Sequence, residues 1–175
     1  MDITRTAVFS DDKLYRYRLE RTFDPNLLKV VFVGVNPSIA NEVEDDKTII
    51  KCMKYAKRWG YGGIIMVNLF AYISTDPLQL RIIENPIGID NDKYLKEVFN
   101  SFGTIGKVIC CWGENGKLFD RDKEVLKIIN EPYCLKINAD NSPSHPLYLS
   151  SDLEPINYLE YLDAKNNMQK LGKKK

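Results

Sequence analysis

Four polar residues stand where apolar runs break off, and their types suit chemistry on a nucleobase: Asn36, Asn68, Asn115 and His145. An amide has no useful pKa, so Asn36 is no general base, but its side chain can orient a water. Asn68 carries a donor and an acceptor side by side, the pairing that reads the Watson–Crick edge of a base. Phe70 and Tyr72, just beyond it, are candidates to stack on that base, with one of the pair equally suited to the core. His145 is the single histidine, and a loop imidazole can donate a hydrogen bond to developing negative charge. A lone histidine is also an ordinary structural residue, so its weight depends on the company it keeps.

That company depends on a repeated pattern. Lys29-Val-Val-Phe-Val-Gly34 reads as a strand buried on both faces, and it ends in Val35-Asn36-Pro37-Ser38. Ile64-Ile65-Met66-Val67 ends in Asn68, and Val108-Ile109-Cys110-Cys111-Trp112 ends in Gly113-Glu114-Asn115. Tyr133-Cys134-Leu135-Lys136-Ile137 leads into the loop that holds Ser144 and His145.

Helical segments lie between these strands: about 48–59, a short one after Asp76-Pro77, one capped by Asp90 or Asn91, and one carrying Val125, Leu126 and Ile129. Asp152 is placed to cap a last helix with Ile156, Leu159 and Leu162. The alternation predicts an α/β fold with helices on both faces of a central four-stranded parallel sheet. Tyr15, Tyr17 and Leu19 alternate with Arg16, Arg18 and Glu20, which predicts an N-terminal hairpin with the two arginines on a solvated face. In such a sheet ligands bind beyond the carboxyl ends of the strands, where all four polar residues fall.

Composition sets limits. The 175 residues suit one domain, taken as 1–163, followed by a basic tail over 164–175. A net charge of +1 exerts no global pull on nucleic acid. No apolar run approaches the about 20 residues a membrane helix needs, so no membrane partner is expected. The N-terminus lacks a signal pattern, and four cysteines without C-x-x-C spacing fit buried free thiols, which together predict a cytoplasmic address. Cys110 and Cys111 are neighbours on a strand and should point to opposite faces.

Glu42, Glu44, Asp45 and Asp46 offer oxygen ligands for a hard cation, or Asp46 or Thr48 caps the next helix. Gly34-Val-Asn-Pro lacks dinucleotide spacing, Gly113 to Lys117 is too short for a Walker loop, and no Ser sits in a nucleophile elbow. Neither a cofactor nor a metal is expected.

Two resemblances follow from these residues. Asn36-Pro37-Ser38, Asp45-Asp46, Trp59-Gly-Tyr-Gly62, Val67-Asn-Leu-Phe-Ala71, Pro86-Ile-Gly88, Trp112-Gly113 and His145-Pro-Leu-Tyr-Leu149 resemble an uncharacterised family of small bacterial and phage proteins, catalogued as a domain of unknown function. The order of Gly34-x-Asn36-Pro37, a strand closing on Asn68, a strand ending in Trp112-Gly113, and His145-Pro146 is similar to the uracil-DNA glycosylase superfamily. Leu147-Tyr148 replaces that superfamily's usual Ser-Pro, and Asn36 in place of Asp matches its slower or broader-specificity branches.

The second resemblance implies a three-layer α/β/α fold and hydrolysis of the N-glycosidic bond of an altered base in DNA. Asn36 and His145 would be catalytic, with Asn68, Phe70, Tyr72 and Asn115 around the base. Ser38 and Ser144 would donate to flanking phosphates, and Tyr148 or Leu149 would fill the vacated stack. The alternative is a non-catalytic binder of a nucleotide-like small molecule at the same rim, a reading the neutral overall charge suits.

Overall fold

A computed structural model describes residues 2–172. The centre of the chain's sheet is β3, Lys29–Gly34, whose Val30, Val31, Phe32 and Val33 are fully buried. Parallel partners flank it: β4, Gly63–Asn68, on one side and β5, Ile105–Cys110, on the other, with β6, Pro132–Cys134, beyond β5. Each fully buried Val, Ile or Phe contributes about 1.5–3 kcal/mol of hydrophobic stabilisation.

The two faces use alternate residues. Val31, Val33, Ile65, Val67 and Cys110 pack with helices α2 (Asn91–Phe99), α3 (Arg121–Leu126) and α4 (Tyr158–Gly172). Val30, Phe32, Ile64, Met66 and Cys111 pack on the other side against α1, Lys47–Arg58. Helices therefore cover both faces, and the adjacent thiols do point apart. All four cysteines are free and buried.

The sheet has seven strands rather than the four expected. The hairpin, β1 (Thr4–Phe9) with β2 (Arg16–Thr22), is no separate unit, because β2 pairs antiparallel with β4. It covers the edge that β4 would otherwise leave open. At the far edge a two-residue strand, β7 (Ile156–Asn157), runs antiparallel to β6. The order is β1-β2-β4-β3-β5-β6-β7.

Three local expectations change. β6 stops at Cys134, and Ile137 makes only an isolated bridge to Pro143. The last helix starts after β7, where Asn157 rather than Asp152 caps it by accepting from the Glu160 N–H at 3.1 Å. Its later turns occupy residues 164–172 of the segment assigned to a tail, while Lys173–Lys175 lie outside the described residues. After β5 a 3-10 segment, Glu114–Asp120, precedes α3, and Phe119 and Asp120 between them are left-handed at φ 57° and 55°. No helix among the described residues is long and apolar enough to cross a membrane.

Candidate functional site

From β3 the chain crosses to β4 on one side, and the later strands add on the other side. The carboxyl ends of β3 and β5 therefore flank a topological switch point. A cavity of about 90 Å³ opens there, on the α1 face of the sheet. Asn36, Asn68 and His145 all line it, together with Arg16, Asp46 and Cys111.

Asn36 leaves β3 through Gly34 and Val35, half-buried. Its Nδ2 donates to the Ser74 carbonyl at 2.9 Å and the Pro37 carbonyl at 3.1 Å. With the amide nitrogen held by backbone, Oδ1 is the atom left to accept, which suits an oriented water.

Asn68 closes β4 and is 3% exposed. Its Nδ2 is buried without a hydrogen-bond partner, an uncommon state for an amide in a protein interior. Its main chain is held firmly: Asn91 Nδ2 donates to the Asn68 and Leu69 carbonyls at 3.1 and 3.0 Å, and Arg121 Nε donates to the Leu69 carbonyl at 2.9 Å. The site thus contains a fixed donor whose acceptor is not part of the fold.

His145 caps a 3-10 turn, Pro146–Tyr148. Its Nδ1 accepts from the Leu147 N–H at 3.3 Å, so the neutral ring carries its proton on Nε2. Burial pushes the imidazole pKa down, with Asp46 opposing, and this favours that neutral donor. The loop before it is knitted internally. Ser144 N–H donates to the Lys136 carbonyl at 2.8 Å, and Gly113 N–H donates to the Pro143 carbonyl at 2.9 Å.

Arg16 is the residue that sequence alternation misplaced. The β1–β2 register skips Tyr17, with Val8 opposite Arg18 and Phe9 opposite Arg16. This bulge turns Arg16 onto the same face as Leu19, where it is 3% exposed and lines the cavity instead of a solvated surface. Because β2 runs antiparallel to β4, its first residue lies beside the exit of β4. Arg16 Nη1 donates to the Ala40 carbonyl, and its Nε has no partner. Burial lowers its pKa to about 10, with Asp46 opposing, and the guanidinium stays charged at neutral pH.

The aspartates of the acidic loop are engaged within the fold. Asp46 is the α1 N-cap, its Oδ1 accepting from the Ile49 N–H at 2.8 Å. Asp45 pairs with Arg21 at 2.6 Å, and Arg21 also donates to the Asn41 carbonyl. Arg16 and Arg21 of β2 thus clamp the 40–46 loop beside the cavity. Among the described residues no group of three His, Cys, Asp or Glu gathers as for a metal. Cys111 lines the cavity, but burial pushes its thiol pKa up to about 12, and its Sγ donates to the Val33 carbonyl at 3.3 Å, so it is no nucleophile.

Of the other expected site residues Ser38 lines the cavity, and the rest fall elsewhere. Phe70 is fully buried on the opposite face, edge-on to Phe119, and Tyr72 packs against Tyr15. Asn115 lies in a separate cleft with Arg81, Phe119 and Asp140, because Gly113 at φ 67° turns the chain away. The Ser144 hydroxyl donates inward to Asn138 Oδ1 at 2.6 Å. Tyr148 stands beside the His145 turn, 87% exposed.

Fold and site define a mixed α/β protein with a small cavity at the switch point of its sheet, into which several polar side chains converge. By a family-model match over residues 16–147 the chain belongs to the family described as Protein of unknown function (DUF1643). Every cavity residue lies inside that match. No curated protein and no solved structure matches the chain.

Proposed function

We propose that the cavity receives a single nucleobase and that the protein hydrolyses the N-glycosidic bond of an altered base in DNA, in the manner of uracil-DNA glycosylase-like proteins. One observation carries this reading: Asn36, Asn68 and His145, from three distant segments, line the same cavity. The four parallel strands with helices on both faces are consistent with that superfamily's layered fold.

In this mechanism the C1′–N bond breaks with its electron pair leaving on the base. His145 Nε2–H donates to the base oxygen that gains the charge. A water held by Asn36 Oδ1 forms the new C1′–O bond and releases its proton to solvent. Asn68 supplies the donor to the base edge, and Tyr148 is positioned to enter the vacated stack.

A second reading, non-catalytic binding of a nucleotide-like ligand, is favoured by the net charge of +1, which gives a DNA duplex no general attraction. A panel of oligonucleotides with altered bases, single- and double-stranded, separates the two. Alkali-labile sites that disappear in Asn36→Ala and His145→Ala support the hydrolase. Uncleaved strands throughout, with thermal stabilisation by nucleotides, support the binder.

A further inference from the structure

The cavity holds a charge that the hydrolytic scheme does not use. Arg16 is buried, its guanidinium makes one hydrogen bond among the described residues, and its Nε faces no acceptor. No carboxylate forms an ion pair with it among the described residues. Asp46, the acid nearest in charge, already spends an oxygen on the α1 cap. A buried cation is costly unless an anion or a full set of acceptors meets it. Asn68 Nδ2 adds a second unmet donor in the same cavity, and His145, whose Nδ1 is taken by the Leu147 N–H, lines it with Nε2–H as its donor. These donors select a ligand that presents oxygen acceptors to them.

We propose that Arg16 is the specificity residue of this cavity and that the ligand is an oxo-substituted heterocyclic ring bearing a negatively charged oxygen, which Arg16 engages. The inference rests on the base-site reading and names the class of base. The cavity of about 90 Å³ is the size of one ring, with a sugar and phosphate left at its open mouth, so the charge that meets buried Arg16 is one carried by the ring. Amino-substituted bases would bring further donors against Arg16 and Asn68 and are disfavoured.

Calorimetric titration of the full-length chain tests this with orotate, its neutral isostere orotamide, deoxyuridine and deoxyuridine monophosphate. Orotate is expected to bind about tenfold or more tightly than orotamide, the worth of one charge-assisted hydrogen bond. Arg16→Gln is expected to erase that preference. Asp46→Asn retains a capping side chain and removes the competing carboxylate, so it should tighten orotate binding several-fold, and it carries the test if Arg16→Gln does not fold.

Equal binding of orotate and orotamide, no binding of orotate, a preference that survives Arg16→Gln, or unchanged affinity in Asp46→Asn overturns the proposal. A gain that follows the phosphate of deoxyuridine monophosphate instead overturns the assignment of charge to the ring. Strand cleavage without orotate binding defeats this inference alone. Orotate binding without cleavage defeats the hydrolase alone.

Discussion

Asn68 Oδ1 packs against Gly34 so closely that a β-carbon at Gly34 would sit 2.7 Å from it. The paired exits of β3 and β4 are in register there, Gly34 opposite Asn68. Gly34→Ala should therefore push the Asn68 side chain aside and cost about 1–3 kcal/mol in urea unfolding. In an Asn68→Ala background the same change should cost far less, and equal costs in the two backgrounds would show that the contact is not the cause.

The clamp on the 40–46 loop has unequal members. Arg21 is fully buried against Asp45, whereas Arg5, the other partner of Asp45, is 36% exposed. Asp45→Asn should destabilise the fold by about 3–5 kcal/mol, because it leaves a buried guanidinium without its anion. Arg5→Ala should cost about 0–1 kcal/mol. Chemical denaturation of both variants checks the order, and a costlier Arg5→Ala would contradict it.

His145 should titrate below the ordinary histidine value of 6.5, since burial disfavours the charged ring. As pH falls through that value the unfolded chain takes up the proton first, so stability should decline toward acid, and His145→Gln should lose that part of the decline. The chain has one histidine, so its ring signals in NMR report the site without ambiguity. A midpoint at or above 6.5 would refute the assignment.

Asn91 is fully buried beneath the exit of β4, with both donors on the Asn68 and Leu69 carbonyls. Asn91→Ala should cost about 1–3 kcal/mol and loosen the Asn68 backbone. Hydrogen exchange at residues 68–71 measures this, and unchanged protection there would argue that Arg121 suffices as a brace.

The legible part of the fold was the part set by short-range pattern. Unbroken apolar runs in β3, β4 and β5 exceed what a one-sided strand needs, and each run ends on a polar residue. Asp46 also announced its helix through cap chemistry. Arg16 was hidden because strict alternation sends it outward, and only the unpaired Tyr17 in a long-range register reverses it. Asn91 looked like a cap residue, and nothing local says that it turns inward. Asn115 and Phe70 were drawn into the site by adjacency in sequence, but the left-handed Gly113 diverts one, and the end of β4 at Asn68 breaks the alternation that would have kept the other on the cavity face. β7 is two residues long, too short for any periodicity to declare it.

The irregular step in β2 gives the outermost hairpin authority over the interior of the protein. One residue inserted between Val8 and Phe9, giving Tyr17 a partner, would restore plain alternation in β2, turn the cation out of the cavity and leave Asp46 as the charged group on its wall. The charge on the cavity wall is thus set from the rim of the sheet, where one surplus residue in the hairpin aims a cation into a chamber built by strands that follow it in sequence.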